Sequence, residues 1–488
     1  MKPIFFKILF ALGISLFAFF PLTDTDIWWH LAAARDFLEN GMAESDPFCW
    51  TPSRSPWINV HLFFQLAVYF VMKQFGATGL VLFKSLAWGI VAFLWVLPVK
   101  RRIRFFEFSV SLCLAFLFRY FFECRPIFFT MFFLGIFWNL LPELEKKFSA
   151  RWLASVLLLL AVEWIWVRSQ GLFPLGFALS FLTVALFWKR VSVIGKWRNA
   201  AFLVSLLSIP LWHLQGRFLW IYPFGLLDRL LGGSSAARLF SAEIAENRSP
   251  LSLVWNGENV FPMLVFLAIL VVFFAHFFAR GNFKSFRNVW TFAVAILALS
   301  AERNLPLFLF PFVWLLWESS PFEKFLSRFC PDGKIPGALL LAFSFGFFAR
   351  SVPAYIQNGD FMAVAGERVP AGAVSFMKEN PLPPGVRLFN DDRSGGYLEW
   401  NLRGVKTFAD GRFILKDSAF FASYLGFARA PETFFPAADS LAIGRVLLPV
   451  RYFTMWNGLA REIAAHRDWN VVYADGIYVV LDRKRVNF

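Results

Sequence analysis

Four of the ionisable side chains in one short stretch, LTDTDIWWHLAAARDFLENGMAESDPFCW (Leu22–Trp50), directly after the first very apolar run of the chain, are of types and spacing that could do chemistry. They are Asp24, Asp26, His30 and Asp46. Asp26 and His30 stand four apart, a spacing that puts both on one face of a helix. Asp24 either caps that helix at its positive end or does chemistry beside Asp26. Asp46 precedes Pro47, which suits a turn, and the turn lets Asp46 fold back toward Asp26. Two carboxylates held together at a wet surface bind a divalent cation such as Mg or Mn, or leave one free as a general base. Asp26 with Asp46 is the candidate pair for a metal, and Asp26, Asp24, Asp46 and His30 are the candidate catalytic residues. Trp28 and Trp29 suit an interfacial aromatic belt.

A second constellation is cationic. ECRPIFF carries Arg125, WVRSQGLFPLG carries Arg168 and Gln170, and AERNLPLF carries Arg303, each at the mouth of an apolar run. Arginines are disfavoured on the outer side of a membrane, so their presence there asks for a reason. A phosphate at headgroup level supplies one, because guanidinium binds it with two parallel hydrogen bonds. Arg125, Arg168, Gln170 and Arg303 are the candidate phosphate-binding set.

The elements that must position these groups are membrane helices. Of 488 residues, 58% are hydrophobic and 20% aromatic, with 66 Phe and a net charge of +15. Apolar runs of about 15–22 residues recur as far as Arg350, the pattern of a polytopic α-helical membrane protein. The positive charge falls in short clusters between the runs, which argues for inside loops rather than nucleic acid. Cys49, Cys113, Cys124 and Cys330 have no zinc or disulfide spacing.

Placing the basic clusters inside with the N-terminus gives about 11 spans. The first run, Pro3–Phe20, reads as an uncleaved anchor. His61–Gly76 is short and reads as a juxtamembrane helix, with the second span at Ala77–Val99. Residues 1–352 form the multi-span domain, with outer loops 21–76 and 214–257. Residues 353–488 read as a soluble α/β domain on the same outer face. Its strand candidates are Val386–Asn390, Val405–Ala409, Val446–Val450, Val471–Tyr473 and Ile477–Leu481, and Gly458–His466 is its helix.

These motifs resemble a known family. DTDIWWHLAAARDFLENG, SDPFCWT, WINVHL, RPIFFTMFF, WVRSQGLFPLG, YPFG, RNLPLF, LFNDDRSGGYLEWNL and TFADGR occur in the order seen in bacterial integral-membrane glycosyltransferases of the GT-C superfold. The resemblance implies an essential acidic residue in the first outer loop, at Asp24 or Asp26, with Asp46 as the second acidic position. It implies a polyprenyl-phosphate sugar as donor and a glycan, lipid or protein as acceptor. It also implies a bacterial inner-membrane protein, N-terminus cytoplasmic and C-terminal domain periplasmic, covering the acceptor groove. Arg168, Gln170 and Tyr222 depart from the pattern, which carries Asn, His and Asn there. A transporter or flippase of a lipid-linked or anionic substrate is the alternative, with Glu107 and Glu163, at or near mid-span, as its support.

Overall fold

The computed structural model describes residues 3–53, 57–231, 244–280, 283–319 and 363–484, with isolated positions between 338 and 349. Gly232–Ser235, Cys330 and nearly all of the expected 335–352 span lie outside them. The chain divides into two compact units. The first comprises Met1–Phe20, Val60–Phe64 and Val81–Gln357, and the second Pro21–Asn59, Gln65–Leu80 and Asn358–Phe488.

The regular elements described in the first unit are helices. Among the described residues, three helices of the whole chain are long and apolar enough to cross a membrane: Leu62–Val96, Ile127–Glu145 and Val260–Ala279. Pro3–Phe17, Phe105–Leu117, Pro174–Phe187 and Phe286–Ser300 are shorter apolar helices. Their interiors are aromatic, and the polar edges of some buried tryptophans find partners across the packing. Trp317 Nε1 donates to Ser111 Oγ at 2.8 Å, and Trp95 Nε1 to the Met131 carbonyl at 2.9 Å. The fully buried Lys84 pairs with Glu123 at 3.5 Å and lies over the Phe20 ring.

The Leu62–Val96 helix changes direction at Gly76, whose φ of 65° and ψ of −166° leave the helical region. A positive φ costs glycine little, so the break sits at a residue free to make it. That position is also the boundary expected between the His61–Gly76 segment and the span beginning at Ala77.

The second unit is α/β. Four strands, β1 (Arg387–Asn390), β2 (Ile443–Pro449), β3 (Trp469–Ala474) and β4 (Tyr478–Arg483), form one sheet in the order β1-β2-β4-β3. β1 and β2 run parallel, and the other pairings are antiparallel. The Ala371–Glu379 and Asp392–Asn401 helices pack onto it through Ala373, Val374, Met377, Leu398 and Leu402. Four of the five expected strands fall within or overlap these. The fifth, Val405–Ala409, pairs elsewhere: Thr407 bridges Cys49, its N–H donating to the Phe48 carbonyl at 3.1 Å.

The segment Pro21–Asn59 is therefore built into the same unit as the C-terminal residues. Its Asp26–Asn40 helix lies against the Asp392–Asn401 helix, where Trp28 meets Tyr397 edge-on at 4.8 Å. A Cβ at Gly396 would come within 2.7 Å of the Trp29 backbone nitrogen, so the contact requires glycine. Arg35 clamps the far end of that helix, donating to the carbonyls of Trp400 at 2.8 Å and Glu399 at 2.7 Å.

Candidate functional site

Asp24, Asp26, His30 and Asp46 all belong to the second unit, and each has a distinct setting. The buried Asp24 accepts a hydrogen bond from the Asp26 N–H at 3.2 Å, at the start of the Asp26–Asn40 helix. That satisfies one of the amides a helix leaves open at its start. Asp26 is partly exposed at the first helical position. His30 is buried, lies tilted against the Trp29 ring with centroids 3.6 Å apart, and faces Gln65 Nε2 across 3.5 Å. Gln65 in turn accepts from Asn59 Nδ2 at 2.7 Å, so His30 ends a chain of buried amides.

Asp46 is the anchor of a buried ionic cluster that the sequence alone did not reveal. Its Oδ1 accepts from the Phe48 N–H at 3.0 Å and from Arg412 Nη2 at 2.8 Å. Lys416 Nζ stands 3.8 Å from Oδ2. Arg412 also grips Asp410, from Nε at 2.8 Å and from Nη2, while its own N–H reaches Asp410 Oδ1 at 2.7 Å. The Arg412 and Asp46 side chains are each only 2% exposed. A buried charge is tolerated only when paired and hydrogen-bonded.

Protonation follows from these neighbours. Burial alone would raise the Asp46 pKa, but Arg412, the Phe48 N–H and Lys416 outweigh it and hold the carboxyl below its ordinary value. Glu399 goes the other way: burial, then the charge of Asp410, push its carboxyl well above the usual range. Its Oε1 accepts from Thr407 Oγ1 at 2.8 Å. Burial and the nearby carboxylates likewise raise the Cys49 thiol, which keeps it protonated. Cys49, Glu399 and Asp410 offer ligand atoms within 4.8 Å of one another, a grouping close enough to hold a metal ion. Asp46, faced by two cations, is poorly suited to share a divalent ion with Asp26.

The four phosphate-binding candidates lie in the first unit and do not share one setting. Arg125 and Arg303 both interact with Glu246. Arg303 is exposed on the Glu302–Asn304 turn, and crowding by protein atoms, then Arg125, lower its pKa, while Glu246 and Tyr222 oppose this. Arg125 Nη1 bonds Glu246 Oε1 at 2.6 Å. Beside them Glu302 accepts from Tyr120 at 2.9 Å and Asn259 at 3.1 Å, tying three chain segments into one polar corner. Arg168 is instead buried, its guanidinium on the Leu214 carbonyl and its own carbonyl accepting from the Phe63 N–H at 2.8 Å. Gln170 accepts from the Leu172 N–H, closing a local turn.

Several of these residues escaped sequence reasoning. Asp410 and Arg412 stand in TFADGR, a motif visible only as part of the resemblance, and Glu399 and Lys416 carry no spacing signal. Glu246 sits in the 214–257 loop, where charge alone assigns nothing.

The fold belongs to the class seen in membrane oligosaccharyltransferases. No family model matches the chain, and no curated protein matches it by sequence. Among solved structures it is similar to the archaeal oligosaccharyltransferase AglB from Archaeoglobus fulgidus in complex with an inhibitory peptide and a dolichol-phosphate. There the identity is 12% and the TM-score 0.53, over 91% of this chain and 69% of that one. The apo form of the Archaeoglobus fulgidus oligosaccharyltransferase gives 13% and 0.52, covering 91% and 69%. Its complex with Zn and sulfate gives 13% and 0.53, covering 91% and 68%. Likeness at this identity defines the fold.

Proposed function

We propose that the protein is a membrane glycosyltransferase that moves a sugar from a polyprenyl-phosphate donor to a glycan, lipid or protein acceptor. The observation that carries the reading is that Arg125 and Arg303, two of the cations expected to hold a phosphate, both interact with Glu246, within a chain that has an oligosaccharyltransferase-like fold. Asp26 is the base. Its partly exposed carboxylate takes the proton of an acceptor hydroxyl, the oxygen attacks the anomeric carbon with inversion, and the polyprenyl phosphate leaves. Cationic side chains offset the charge that develops on that phosphate, the usual electrostatic contribution to such a step, and Arg125 and Arg303 are the first-unit candidates for that chemistry.

In this assignment Asp24 starts the helix that presents Asp26, and Asp46 holds the loop. Arg168 and Gln170 shape the turn after their helix, outside the phosphate contact. A divalent cation at Cys49, Glu399 and Asp410 would have to displace the protons that burial keeps on Cys49 and Glu399 and compete with Arg412 for Asp410, and no step of the transfer is routed through it. The reaction is set on the periplasmic side of a bacterial inner membrane.

Transport of the same lipid-linked substrate is the second reading. Glu163, buried and with Oε2 lacking a hydrogen-bond partner, favours it. Glu107 does not, because it caps its own helix at the Arg104 N–H and pairs with Arg101 at 2.5 Å. Glycan profiles of cells with and without the gene separate the two, alongside uptake by sealed vesicles lacking acceptor. Loss of a glycan on deletion, restored by the wild-type gene and not by Asp26→Asn, supports transfer. An unchanged profile with active uptake overturns it.

A further inference from the structure

The sequence Asp410-Gly411-Arg412 lies more than 350 residues from Asp26 in the chain, yet in the second unit it lies against it. A Cβ built on Gly411 would run into Asp26 Oδ1 and stand 3.5 Å from Trp29 Nε1. Gly411 itself is exposed, so this edge of Asp26 is open to water and bounded by one glycine. Next to it, Arg412 is held by two carboxylates and three aromatic rings. Its fork holds Asp410 and Asp46, and its guanidinium carbon lies 4.9 Å from the Phe48 ring, 5.0 Å from Trp57 and 5.7 Å from Trp29. Trp29 is one helical turn from Asp26, so the arginine ties the turn to the same helix face.

We propose that the Asp410-Gly411-Arg412 turn sets the position of the Asp26 carboxylate, with Gly411 and Arg412 as positioning residues for sugar transfer. The proposal rests on Asp26 being the base. Gly411 leaves the space that the Asp26 carboxylate occupies, and Arg412 keeps the turn from drifting. A misplacement of about 1 Å in such a constellation costs on the order of a hundredfold in rate. The C-terminal part of the chain thus helps to shape the catalytic loop, in addition to any cover it gives the acceptor.

The test uses the full-length protein in membranes and, as substrate, the glycan product defined by the deletion profile. Gly411→Ala, Arg412→Lys, Asp26→Asn and a control, Gly426→Ala, are compared. Gly411 lies outside the left-handed backbone region, so alanine adds only the contact; at Gly426 nothing stands within 4 Å of the added methyl. Gly411→Ala is expected to lower turnover at least tenfold with the donor KM nearly unchanged. It is also expected to move the acid limb of the rate profile to higher pH, because the methyl removes water from the carboxylate. Gly426→Ala is expected to match wild type, and Arg412→Lys to lose turnover because ammonium cannot replace the fork. If Asp26→Asn abolishes transfer while Gly411→Ala keeps wild-type turnover and pH profile, the positioning role is overturned and the base assignment stands. If Asp26→Asn retains full transfer, both fall. Should Gly411→Ala fail to accumulate, wild-type turnover in Arg412→Lys overturns the proposal.

Discussion

Asp46 looked like a catalytic or metal-binding carboxylate in the sequence, and the structure gives it structural work as the counter-ion of Arg412 and Lys416. Its spacing from Asp26 was legible; the partners that neutralise it, more than 350 residues later, were not, because no local pattern encodes a long-range ion pair. Asp46→Asn leaves a buried guanidinium short of one charge, and removing one partner of a buried pair costs about 3–5 kcal/mol. Thermal unfolding in detergent is expected to show that loss. Glu399 yields a pH prediction. Its folded pKa is raised, so the stability it contributes is fully present below its unfolded value of about 4.3. That stability is lost as pH rises from there through the folded pKa. Glu399→Gln, neutral at every pH, is expected to flatten this decline. Melting temperatures between pH 4 and 8 measure it, and an unchanged slope would contradict the assignment.

At the scale of elements, hydropathy located most of the apolar helices because they are written as contiguous apolar runs, and the Gly76 break fell at the expected boundary. The Asp392–Asn401 helix was not foreseen. Its Gly395-Gly396 pair opposes helix formation by about 1 kcal/mol per residue, and only close packing makes glycine the right choice there. Gly396→Ala drives a methyl into the Trp29 backbone, and overpacking of this kind costs about 1–3 kcal/mol. Gly426→Ala, in open space, is expected to be neutral or slightly stabilising. Chemical denaturation of the pair reads the difference, and equal midpoints would show that the two helices do not meet as described. Val405–Ala409 shows the converse failure: its alternation reads as a strand, but its backbone pairs with Phe48–Trp50 and stays outside the sheet.

Across the whole molecule, the sequence suggested an outer loop and a separate C-terminal domain. The second unit instead joins Pro21–Asn59, Gln65–Leu80 and the C-terminal residues in one body. The contacts that join them, Arg35 to Trp400, Lys416 to Thr51 and Trp50 to Leu388, are single long-range hydrogen bonds invisible to periodicity. Truncation before residue 363 is therefore expected to expose the 21–59 segment to protease, read as new cleavage sites between Trp28 and Trp57 by mass spectrometry. A segment that stays protected would show that it folds alone. The central claim is sugar transfer, and its most direct measurement is release of free polyprenyl phosphate from a radiolabelled polyprenyl-phosphate sugar by the purified full-length protein with acceptor extract. The account predicts release matched by label in the acceptor for wild type and at least a hundredfold less for Asp26→Asn. Equal release by both, or label crossing a sealed bilayer with the donor intact, would contradict it.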